Sequence, residues 1–87
     1  MRSPKTYDEF REEMRERDLF TQFAERCAQN SMSPRIVWSK SRHPSAIRAR
    51  WVIWRWLVNE VGYSRSETAI LFGRNASTVS AALQVKT

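Results

Sequence analysis

Ser64–Gln84 reads SRSETAILFGRNASTVSAALQ, and the fold turns on how this stretch is read. Ser64 with Glu67 three residues later is a capping-box start, in which each side chain satisfies an orphan N–H at the helix end. Ala69, Ile70, Leu71 and Phe72 supply an apolar face. Gly73 takes positive φ cheaply, so the first helix can stop and the chain can turn. Asn75 can then cap a second helix over residues 76–84.

The spacing suits two short helices crossing at a tight turn, the plan of a DNA-binding helix-turn-helix. Such a unit wants a small residue at the crossing, an apolar residue and a glycine at the turn, and a branched apolar residue holding the second helix. Ala69, Phe72, Gly73 and Val79 fall at those places in that order. The outward positions of the second helix are then Asn75, Ala76, Ser77, Ser80, Ala81 and Gln84. These small and amide side chains can approach base edges in a major groove. An ordinary helical hairpin in a bundle has the same spacing, so the rest of the chain has to discriminate.

Eighty-seven residues make one small domain, and the four tryptophans and four phenylalanines must carry much of its core. Two glycines and few alternating β-branched runs predict an all-α fold. The net charge of +6 is unevenly placed. Residues 1–30 hold six Lys/Arg against seven Asp/Glu, a balance of −1; residues 31–87 hold nine against two, a balance of +7. The positive excess therefore lies with the candidate motif, which suits a polyanion such as nucleic acid. Cys27 and His43 are single, so one chain has neither an internal disulfide nor the usual zinc ligand set. Cys27 reads as a small apolar core residue. The longest apolar run, Trp51–Trp54, is far short of a membrane span.

Thr6-Tyr7-Asp8-Glu9 repeats the capping-box form, and Tyr7, Phe10 and Met14 form an apolar stripe on an otherwise charged segment. The stripe changes phase between Met14 and Leu19, which predicts a break near Arg17–Asp18. Leu19, Phe20, Phe23, Ala24 and Cys27 continue on a second apolar side. Ser33 and Pro34 open a short helix bearing Ile36, Val37 and Trp38. Lys40 and Arg42 lie in the loop SKSRHP, where His43 precedes proline and reads as a loop or capping residue. A long helix should run from Pro44 or Ser45 to about Val61, stopped by Gly62. Ile47, Trp51, Trp54, Val58 and Val61 are its expected core stripe. Trp56 lies nearly opposite, either packed on the N-terminal helix or exposed. No catalytic constellation emerges, and GRNAST lacks the second glycine and the lysine of a phosphate-binding loop.

The pieces SKSR (Ser39–Arg42), RAR (Arg48–Arg50) and SETAILFGRNASTV (Ser66–Val79) together resemble a known family, the C-terminal DNA-binding domain of the bacterial replication initiator DnaA. Order and spacing agree across roughly residues 19–83, with one glycine fewer at the turn. The resemblance implies that Arg42 is a basic-loop arginine entering the minor groove and that Arg50 reaches DNA from the long helix. It also implies that Ser77 and Thr78 stand for the Thr-Thr pair opening the recognition helix. Asn75-Ala76 occupies the place of the family's Asp-His, which helps read its DNA box, so the target sequence should differ. Nothing here resembles the initiator's ATPase module.

The resulting expectation is an all-α, small helical bundle containing a helix-turn-helix, like the DnaA C-terminal domain. Residues 1–18 would form a charged N-terminal helix or extension, and 19–87 the DNA-binding domain. Function would be sequence-specific binding of double-stranded DNA in transcription or replication control, without enzymatic activity, cofactor or metal. A small regulator of phage or mobile-element origin, at the nucleoid in the cytoplasm, fits that picture. The contact set is Lys40, Arg42, Arg48, Arg50, Arg65, Arg74, Asn75, Ser77, Thr78, Ser80 and Gln84. Arg65 would clamp the backbone, and Arg74 would supply the charge that the recognition helix lacks. The rival is a protein-interaction module, docking on a host protein or a second copy through a Trp/Phe-rich surface or the charged N-terminal helix. A membrane-surface role is weaker, because the basic residues do not share one helix with a broad apolar stripe.

Overall fold

In a computed structural model, residues 6–84 are described, and their regular structure is all helical, with no strand among them. Six α-helices follow in order: α1 (Tyr7–Glu16), α2 (Phe20–Gln29), α3 (Pro34–Trp38), α4 (Pro44–Trp56), α5 (Arg65–Phe72) and α6 (Ala76–Gln84). A π-helical turn, Leu57–Val61, extends α4.

Local signals set most of these boundaries. Thr6 accepts from the Glu9 N–H at 3.2 Å to start α1, and Ser33 accepts from Ile36 N–H at 3.3 Å to start α3, with Pro34 at its first position. Ser64 and Glu67 form the reciprocal capping box of α5, both bonds 3.0 Å. Gly73 closes α5 at φ +63°. The break between α1 and α2 falls at Arg17–Asp18 as the phase change predicts, and Asp18 makes it. It takes φ +58° and ends α1, while its own N–H bonds Arg15 O and the Leu19 N–H reaches back to Met14 O. Ser31 at φ +56° ends α2 with the same pair of bonds, from Ser31 N–H to Ala28 O and from Met32 N–H to Cys27 O.

Two expectations about the long helix need correction. Its buried stripe is Ala46, Ala49, Arg50, Ile53, Trp54 and Leu57, so Ile47, Trp51, Val58 and Val61 are only half-buried. The cause is close packing: α4 contacts α2, α3 and α6, and alanines permit that approach where larger side chains would not. The last turn is also not α-helical, since Gly62 N–H bonds Leu57 O at 3.0 Å, five residues back. That wider turn resets the phase of Val58 and Val61. Trp56 is 4% exposed, lidded by the Arg26 guanidinium of α2 at 4.8 Å from its ring centroid.

The core is built on aromatic rings. Phe10 of α1 meets Phe23 of α2 and Phe72 of α5 edge-on, each at 5.2 Å between centroids, and lies 5.9 Å from Trp38. Trp54 stands edge-on to Phe72 at 5.8 Å. Phe10 and Met14 are fully buried in the same cluster as Phe72 and Val79. The division expected after residue 18 therefore falls in a turn between two helices of one core; the outer ends of those two expected units, 1–5 and 85–87, lie outside the described residues. Among the described residues no helix is long and apolar enough to cross a membrane.

Candidate nucleic-acid interface

The helix pair α5–α6 is joined by Gly73–Asn75, and its interior holds the residues the spacing named. Ala69, Phe72 and Val79 are at most 2% exposed. Asn75, Ala76, Ser77, Thr78, Ala81 and Gln84 are exposed, and Ser80 is half-buried. The Asn75 carbonyl accepts from Thr78 and Val79 N–H groups as α6 begins.

Beside this pair lies the loop between α3 and α4, ordered by short side chains. Ser39 Oγ donates to Ile36 O at 2.7 Å and accepts from Ser41 N–H; Ser41 Oγ accepts from His43 N–H; His43 Nδ1 accepts from Ser45 N–H and caps α4. Two arginines lock the loop from below. Arg50, 6% exposed, donates Nε–H to Val37 O at 2.9 Å and Nη2–H to Ser39 O at 2.7 Å and Ser41 O at 3.1 Å. Arg74 donates Nη1–H to Phe72 O at 2.8 Å and Nη2–H to the same Ser39 O at 2.9 Å. Trp38 Nε1–H bonds Leu71 O at 3.1 Å and ties α3 to the end of α5.

These bonds place the loop against the turn that opens α6. They also correct the reading of Arg50 as a side chain reaching DNA: it is buried, and three backbone carbonyls take its donors. Arg74 is half-buried and similarly engaged. Burial, with Arg74 nearby, lowers the Arg50 pKa to about 10, and burial lowers that of Arg74 as well. Arg50 stays charged at neutral pH. Both guanidiniums rest on carbonyls, while the Arg11–Asp8 and Arg26–Glu60 ion pairs lie elsewhere. The floor of the loop is therefore positive and not neutralised.

Lys40, Arg42 and Arg48 are exposed, and their side chains make no hydrogen bond or ion pair with a described residue. Arg48 precedes Trp51 by one helical turn, and Trp51 with Ser77, Thr78, Ala81 and Ala82 lines an open groove of about 440 Å³ between α4 and α6. Lys40 and Arg42 thus lie on the loop that Arg74 ties to the turn before α6, and Arg48 lies on α4, the helix packed against α6. Arg65 is exposed too, at the end of α5 away from the turn, about 10 Å along the helix. The arginines of the first half behave differently. Arg15, Arg17, Arg26 and Arg35 lie over the rings of Phe20, Tyr63, Trp56 and Tyr7 at 4.8–5.4 Å.

The sequence reading missed Trp51 as a groove wall and the locking role of Arg50. The available signal for Arg50 was its register, one turn after Ala46 and one before Trp54 in the stripe of small and apolar residues. A surface rich in Trp and Phe is not found among the described residues, where Ile36, 43% exposed, is the exposed large hydrophobic side chain. Comparison with protein-family models, with curated proteins and with solved structures finds no match for this chain.

Proposed function

We propose that this chain is a sequence-reading, double-stranded DNA-binding protein without enzymatic chemistry, acting in control of transcription or replication. One observation carries the reading: three unpartnered cations, Lys40, Arg42 and Arg48, lie on the loop tied to the turn before α6 and on the helix packed against it, and α6 exposes small and amide side chains. Phosphate contacts fix register and base-edge contacts fix sequence, and the two need adjacent surfaces of these two kinds. The resemblance of SKSR, RAR and SETAILFGRNASTV to the DnaA C-terminal domain supports the same reading. In it, α6 enters the major groove with Asn75, Ser77, Thr78, Ser80 and Gln84 near the bases. Lys40, Arg42 and Arg48 meet phosphate or the minor groove, and Arg65 meets phosphate further along. Arg50 and Arg74 hold the loop in place instead of touching the duplex.

Selection from a random double-stranded library with the purified chain, at about physiological salt, tests this directly. An enriched motif is expected. In addition, Arg42→Ala and Arg48→Ala should each flatten the slope of log K against log salt by about 0.9 if each side chain meets one phosphate. Negligible binding with no enrichment would overturn the proposal. It would favour a protein partner, with the charged face of α1 as the first surface to examine.

A further inference from the structure

The face that α6 exposes carries neither a cation nor a carboxylate. Ser77, Ala81 and Gln84 succeed one another along its outermost line, with Ala76 and Thr78 exposed at the flanks. The nearest arginine in the chain, Arg74, has both terminal nitrogens engaged by Phe72 O and Ser39 O. On its α4 side the face runs into the groove walled by the Trp51 indole and by Ala81, Ala82 and the Thr78 side chain.

Each base pair presents a different edge in the major groove. Guanine is read chiefly by Arg or Lys on O6 and N7, and cytosine by a carboxylate accepting from its N4. None of these side chains stands on α6. The pairings left are an amide with adenine and an apolar contact with the thymine methyl. Asn75 and Gln84 supply amides at the two ends of the helix, and Ala81 with Thr78 and Trp51 supplies the apolar contact between them.

We infer, on the strength of the DNA-reading proposal above, that the duplex taken by this face is rich in A·T pairs. Thymine is selected there by its C5 methyl group, seated against Ala81, Thr78 and Trp51. The small side chains of α6 let the helix approach closely enough for a methyl group to be covered, and the indole closes one side of the contact.

The probe is the duplex enriched from a random library, remade with uracil in place of thymine at one position at a time. This exchange deletes the methyl group and leaves the hydrogen-bonding edges and the phosphates intact. Expected are A·T pairs at the most constrained positions and about fourfold weaker binding for each covered methyl removed, from about 0.8 kcal/mol per buried carbon. Ala81→Ser, with helicity checked by circular dichroism, should bring the thymine-to-uracil ratio at one position towards unity. G·C pairs at the most constrained positions, or no loss with uracil at any position, would overturn this inference while leaving DNA reading intact. No enriched motif at all would remove both.

Discussion

Arg50 and Arg42 carry the same charge on neighbouring segments, yet their surroundings assign them opposite work. Arg50 is buried, and its guanidinium bridges the carbonyls of Val37, Ser39 and Ser41. Removing it leaves the Val37 and Ser41 carbonyls short of a donor, Ser39 O with Arg74 alone, and a void beneath the loop. Arg50→Met should therefore cost about 2–4 kcal/mol of stability, read by urea unfolding. Arg50→Lys should recover little, since an ammonium cannot reproduce the planar fork that reaches three carbonyls. Arg42 is exposed and unpartnered, so Arg42→Ala should change stability by no more than about 0.5 kcal/mol. If both substitutions proved equally mild, Arg50 would not be the lock described here. Arg50 looked like a ligand contact from its place in RAR, because sequence spacing names a residue's neighbours in the chain and not the carbonyls that α3 folds over it.

Among the elements, α5 has the most explicit start signal, and its chemistry gives a pH dependence. The Ser64 N–H and hydroxyl hydrogen-bond the Glu67 side chain and hold its carboxyl below the ordinary 4.5. A depressed folded-state pKa contributes stability above the unfolded value and loses it as pH falls through the folded one. The stability gap between the wild-type chain and Glu67→Gln should thus be constant near neutrality and shrink below about pH 4.5. Urea midpoints at pH 7 and pH 3 would measure it, and a gap independent of pH would remove the capping box from the account of α5. The helix stops were less legible. Gly62 and Gly73 announced themselves, whereas Asp18 and Ser31 take the left-handed conformation without being glycine, under the pull of the paired bonds that close α1 and α2. In α4 the large apolar residues drew attention to the Ile47 line. The true contact line begins at Ala46, since alanine is small enough for close approach and scores weakly as hydrophobic.

At the scale of the whole molecule, α1 belongs to the core through Phe10 and Met14. Phe10 joins α2, α3 and α5 through ring contacts with Phe23, Trp38 and Phe72. Phe10→Ala should cost about 3–5 kcal/mol, a large part of the stability of so small a domain. Removing residues 1–18 should abolish the cooperative unfolding transition seen by circular dichroism. Full cooperativity without α1 would restore the two-part division of the chain. The same ring cluster accounts for the placement of charge. Arginines of α1, α2 and α3 lie over aromatic rings, which leaves Lys40, Arg42 and Arg48, on the loop and α4, exposed and unpartnered.

The sequence by itself determined the helical class, four helix starts at Thr6, Ser33, His43–Pro44 and Ser64, the turn at Gly73, and the burial of Ala69, Phe72 and Val79 against the exposure of Asn75, Ala76, Ser77, Ala81 and Gln84. These follow from capping chemistry and from helical periodicity, both of which act within a few residues. Only the tertiary structure decided which cations stay free, that Arg50 and Arg74 lock the loop, that Trp51 walls a groove, and that α1 completes the core. Each of those depends on which carbonyl or ring a distant segment brings within reach, and such contacts leave no local mark on the chain.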